Sequence, residues 1–103
     1  PRIARLEAVI RARKDADPAS SYVASLFAKG TAKIAQKVGE EATETIIAAL
    51  RDGPDKLTSE AADLLFHLTI LLADAELSLD DVLREIERRE GISGITEKVS
   101  RIK

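Results

Sequence analysis

Lys37–Glu44 reads KVGEEATE and Ser59–Leu68 reads SEAADLLFHL, and these two stretches decide how the chain folds. Each carries a pair of acids, Glu41 with Glu44 and Glu60 with Asp63, in sequence that otherwise favours helix. Side chains at i and i+3 share a helical face, so each pair can converge on one ligand. Between the stretches lies a turn signal, Arg51-Asp52-Gly53-Pro54. Glu44 and Glu60 are about equally far from it, and so are Glu41 and Asp63. At about 1.5 Å rise per residue the inner acids stand roughly 12 Å from the turn on both arms. An antiparallel helical hairpin would bring all four carboxylates level, forming an oxygen-rich cage suited to a hard divalent cation.

The rest of the composition narrows the function. The chain has 103 residues, a net charge of −2 and no cysteine. That length is expected to form one domain, residues 1–103, with a modest core that a partner subunit would help to complete. Without cysteine there are no disulfides, thiolate zinc sites or thiol nucleophiles. Acids and bases are interspersed, which provides no general attraction to nucleic acid or membranes. One Tyr and two Phe are too few for the stacking platforms of single-stranded nucleic-acid binders. The chain opens on Pro1, so a few residues are expected to have been trimmed. It shows neither a leader pattern nor an apolar run of about 18 residues. The expected compartment is the cytoplasm.

In chain order, Ile3, Leu6, Val9 and Ile10 give Pro1–Lys14 the spacing of a short amphipathic helix. Pro18 disfavours helix at Asp17, and Ser20 or Ser21 can cap a second short helix, Tyr22–Lys29, which ends at Gly30. Thr31 can cap a long helix to about Leu50, with Ile34, Val38, Ala42, Thr45 and Ala49 on its apolar arc. Glu41 stands at the border of that arc, where it is partly shielded. Pro54 suits the first position of the next helix, which runs to about Glu76. Leu64, Leu65, Phe66, Leu68, Ile70, Leu71 and Leu72 point in nearly every direction around it. A helix apolar on all sides belongs at the centre of a bundle. Ser78 and Asp81 form a capping box for a last helix, with Leu77 and Val82 as its staple and Leu79, Val82, Leu83 and Ile86 as its inner face. Nothing alternates as a strand. The fold class is all-α: a hairpin-based bundle whose four-helix core a homodimer would complete.

Glu60, Asp63 and His67 share one face of the apolar helix, and buried acids are costly unless paired, protonated or bound to metal. Mg²⁺ suits four carboxylates, since it prefers octahedral oxygen ligands and keeps some waters. The alternative is a solvated acidic face. A di-iron bundle would carry Glu-x-x-His pairs, whereas the second pair here is Glu60-x-x-Asp63. His67 reads either as a core histidine satisfied by a neighbouring acid, as support for Asp63, or as a substrate contact. Lys29, Lys33 and Lys37 recur every four residues and approach the cage, as a polyphosphate ligand would require. Arg88, Arg89, Lys98 and Arg101 form a second basic group, although helix ends often carry basic residues in any case.

Glu40-Glu41-x-x-Glu44 followed by Glu60-x-x-Asp63 resembles the signature of the all-α nucleoside triphosphate pyrophosphohydrolases of the MazG and dimeric dUTPase types. The stretches SYVASLFAKG, KIAQKVGEEATE, EAADLLFHL and EGISGITEKVSR are similar to the phosphoribosyl-ATP pyrophosphohydrolase family over nearly the whole chain. The resemblance implies Mg²⁺-dependent hydrolysis of phosphoribosyl-ATP to phosphoribosyl-AMP and pyrophosphate, the second step of histidine biosynthesis, by a homodimer. It implies metal binding by Glu41, Glu44, Glu60 and Asp63, and phosphate binding by Lys29, Lys33 and Lys37, with Arg88, Lys98 and Arg101 as further substrate contacts. Glu40 would stand behind the ligands or activate water, and the catalytic acids would be Glu40, Glu41 and Glu44. Two alternatives remain at this level: a house-cleaning hydrolase of other nucleotides with the same cage, and a non-enzymatic dimeric bundle that no metal would stabilise.

Overall fold

The structure is a computed structural model and describes residues 1–90; the substrate contacts expected at Lys98 and Arg101 lie outside the described residues. Five helices follow one another: α1 Arg2–Ala12, α2 Tyr22–Lys29, α3 Thr31–Ile47, α4 Pro54–Asp74 and α5 Leu79–Glu90. No strand occurs among the described residues. The fold is all-α, as the periodicity implies.

The hairpin of α3 and α4 is the frame. Instead of continuing regularly to Leu50, α3 gives way to one wide π-turn, Ala48–Asp52. Gly53, at φ 86°, then reverses the chain in a backbone region that costs a glycine little. Pro54 starts α4, where its missing N–H would have lacked a helical partner anyway. Thr45 Oγ1 donates to the Glu41 carbonyl at 2.7 Å and approaches the Glu60 carbonyl at 3.2 Å, tying the arms together at the height of the acids.

The core fills the opposite end of the hairpin. Ile10, Val23, Leu26, Ile34, Ile70 and Ala73 pack together, with Leu6, Phe27, Phe66 and Leu71 around them. Four helices therefore meet at Ile70. Ser21 caps α2 by accepting from the Ala24 amide at 3.2 Å. Thr31 does not cap α3 as its position suggested: Gly30 occupies the cap, and the Thr31 hydroxyl reaches across to Asp74 on α4. A tertiary acceptor has displaced the local role.

The capping box of α5 forms as expected. Asp81 Oδ2 accepts from the Ser78 amide at 2.9 Å, and the Asp81 amide donates to Ser78 Oγ at 3.2 Å. Glu7 Oε2 accepts from the Leu79 amide at 2.9 Å, which anchors the start of α5 to α1. The expected inner face does not close beyond that point. Leu79 is buried, whereas Val82, Leu83 and Ile86 are exposed, because only the first turn of α5 is held against the described chain. Leu77 of the expected staple is exposed as well.

At the far end of α5, the Glu85 carboxylate receives Arg88 at 2.6 Å and Arg89 at 3.2 Å. Hydrogen bonds from Arg88 and then Arg89 hold it down at about 2, below its ordinary 4.5. A depressed carboxyl stabilises the fold above its unfolded value and loses that contribution as pH falls through the folded one. The last turn of α5 is therefore expected to lose amide protection between about pH 4.5 and 2, followed by NMR. A Glu85→Gln protein should lack this step, and an unchanged step in that variant would exclude the triad as its cause.

Candidate active site

Helical register and the π-turn together set the acids at one level. Glu41 from α3 and Glu60 and Asp63 from α4 each offer a carboxylate oxygen within 4.8 Å of the others. Glu41 is more than partly shielded: it and Glu60 are both 7% exposed, while Asp63 opens to solvent. Two of the cluster's oxygens, Glu41 Oε2 and Glu60 Oε2, are buried without a hydrogen-bond partner. Such oxygens are costly in a folded protein unless something cationic meets them. The donor set is all oxygen and anionic, which suits a hard divalent cation.

Glu44 lies beside these three on the exposed side of α3. The close approach of Glu60 and Glu41 and the Glu41 charge push its carboxyl up to about 7. Glu60 moves the other way, lowered first by Lys56 and then by Glu44. The neighbouring Glu41 and Glu60 charges thus make ionisation of Glu44 harder, as a bound cation would not. All four acids of the two pairs are brought together, three as a close cluster and Glu44 at its edge.

The basic residues divide. Lys37 Nζ stands 3.8 Å from both Glu40 and Glu41, at the rim of the cluster. Lys29 lies on α2 and Lys33 a turn before Lys37 on α3. Arg88 is paired with Glu85 on α5. Glu40 is exposed and outside the cluster.

Two neighbours were not singled out by the sequence reading. Lys56 Nζ meets Glu60 Oε1 at 3.0 Å, and the i, i+4 spacing was the signal that could have found it. A cavity of about 240 Å³ beside it is lined by Glu44, Ile47, Arg51, Asp52, Lys56 and Glu60. The other neighbour is Tyr22, whose hydroxyl lies 2.8 Å from His67 Nε2. His67 is buried and has no carboxylate partner of the kind expected: its Nδ1 faces the Asp63 backbone carbonyl at 2.7 Å. Only the fold brings Tyr22 to it, because the two are 45 positions apart.

A helical hairpin that gathers buried and exposed carboxylates at one height defines an all-α protein with an acid cluster able to hold a metal ion. The chain belongs to the phosphoribosyl-ATP pyrophosphohydrolase family, whose sequence profile matches residues 3–90. A phosphoribosyl-ATP pyrophosphatase of Erythrobacter litoralis is 61% identical over 97 residues, covering 94% of this chain and 93% of that protein. One of Zymomonas mobilis is 57% identical over 101 residues, covering 98% of this chain and 94% of that protein. One of Azospirillum brasilense is 57% identical over 97 residues, 94% of this chain and 87% of that protein.

Proposed function

We propose that this chain hydrolyses phosphoribosyl-ATP to phosphoribosyl-AMP and pyrophosphate, the second step of histidine biosynthesis, with Mg²⁺ held by Glu41, Glu44, Glu60 and Asp63. Family membership supports the reaction. The observation that carries the site is the pair of buried, unpartnered oxygens of Glu41 and Glu60 beside Asp63. A cation bound there supplies Lewis-acid polarisation of the phosphate chain.

The residues divide the remaining work. Lys37, fixed at the rim by Glu40 and Glu41, meets the charge that develops on departing pyrophosphate. Lys29 and Lys33 extend that basic row along the triphosphate, while Arg88, Lys98 and Arg101 contact the rest of the substrate. Glu40, exposed beside Lys37 and outside the cluster, accepts the proton of a water attacking the α–β linkage. Glu41 and Glu44 keep that water and the phosphate chain aligned. His67 steadies Asp63 through its backbone carbonyl. No covalent intermediate is required.

The working unit is a homodimer of single-domain chains, residues 1–103, in the cytoplasm. Its support is apolar surface near the hairpin turn, on α4 and on α5: Ile46, Ile47 and Leu50, then Leu65, then Val82, Leu83 and Ile86, are exposed in the protomer. Leu50 is 84% exposed, which a lone globule gains nothing from. No described helix is long and apolar enough to cross a membrane.

The test is pyrophosphate release from phosphoribosyl-ATP with and without Mg²⁺, beside ATP and the deoxynucleoside triphosphates. Mg²⁺-dependent release from phosphoribosyl-ATP alone is expected. Release from the nucleotide panel instead would move the substrate to the house-cleaning class, and no release from any would refute an enzymatic role.

A further inference from the structure

Next to the acid cluster, the tautomer of His67 fixes the character of an exposed tyrosine. A carbonyl can only accept, so the 2.7 Å contact with the Asp63 carbonyl places the His67 proton on Nδ1. In the neutral imidazole Nε2 then carries a lone pair, and the Tyr22 hydroxyl donates to it at 2.8 Å. The ring is set edge-on to His67, with centroids 5.7 Å apart. Burial pushes the phenol up, the Lys37 charge lowers it, and the Glu41, Glu40 and Asp63 charges raise it, so it keeps its proton at neutral pH. Tyr22 also stands close to the cluster, since it contacts His67, which in turn contacts Asp63. Yet Tyr22 is 52% exposed, and a phenol that donates its proton inward keeps only lone pairs for a further partner.

We propose that Tyr22 is a specificity-determining residue that accepts a hydrogen bond from an O–H or N–H group on the nucleoside part of the substrate. The inference rests on the function proposed above. Phosphate near neutral pH presents mainly acceptor oxygens, so a lone-pair face cannot hold it. Lys37 and Tyr22 thereby sort the two ends of one ligand, the anionic chain to the lysine and the donor-bearing sugar or base to the phenol. Its exposed ring offers an apolar edge for the same end. His67 acts through Tyr22 as a positioning residue: it holds the hydroxyl in one rotor state.

The experiment measures binding of phosphoribosyl-AMP and of inorganic pyrophosphate, each with Mg²⁺, to the parent, Tyr22→Phe and His67→Asn proteins by calorimetry. Loss of one neutral hydrogen bond is expected to weaken phosphoribosyl-AMP binding roughly 3- to 10-fold in Tyr22→Phe and to leave pyrophosphate unchanged. His67→Asn, whose side-chain amide can still donate to the Asp63 carbonyl in place of Nδ1, should fall in the same direction with the same selectivity. Analogues of phosphoribosyl-AMP lacking a ribose hydroxyl, or with the exocyclic amine replaced by oxygen, identify the donor. The analogue whose affinity no longer responds to Tyr22→Phe has lost the group that Tyr22 reads. Equal weakening of both ligands, or of neither, would overturn the proposal. Failure of the parent to bind phosphoribosyl-AMP at all would instead refute the proposed function, and this inference with it.

Discussion

A Glu60→Gln protein is expected to remain folded and to lose more than about 100-fold of its pyrophosphate release. Loss of a group that merely supports a metal ligand costs roughly 10- to 100-fold, and Glu60 stands in the cluster itself. One of its oxygens pairs with Lys56 at 3.0 Å and the other is buried without a partner. Glutamine keeps the shape and removes the charge, so the effect falls on cation binding more than on packing. In the parent, a cation that binds only the folded chain raises the melting temperature, and in Glu60→Gln that rise should vanish. The measurement pairs turnover with thermal melts at several Mg²⁺ concentrations. A folded variant working at the parent rate would remove Glu60 from the site.

Ile70→Ala should produce the largest loss of stability, about 2–5 kcal/mol. Ile70 is fully buried where α1, α2, α3 and α4 converge, against Ile10, Val23, Leu26 and Ile34. Removing its outer methyl groups leaves a cavity that four elements would have to close together, and interiors relax only partly around such gaps. For a chain of 103 residues, that corresponds to a fall of at least about 8 °C in melting temperature. Denaturant titration checks it. A loss under about 1 kcal/mol would mean that the core is shared differently among the helices.

Most of the chain's local structure was legible because its signals are local. Pro54, Gly30, Gly53 and the Ser78 and Asp81 pair each act through backbone geometry or hydrogen bonds within a few residues. The acid pairs were legible for the same reason, since one helical turn puts i and i+3 on a common face. Thr31 was misassigned because a nearby hydroxyl can serve a local amide or a distant acid, and only packing sets Asp74 beside it. Of the inner face expected of α5 only Leu79 is buried, because periodicity names an apolar face without naming what covers it.

By itself the sequence determined five helices, the reversal at Gly53 and four acids able to meet, since short-range sterics and helical spacing suffice for each. Tertiary structure alone decided which acids become buried, that Glu44 is pushed up beside Glu41 and Glu60, and that Tyr22 reaches His67. Burial and charge coupling depend on everything within a few ångströms of a group, and residues far apart in the chain become such neighbours only when the helices pack.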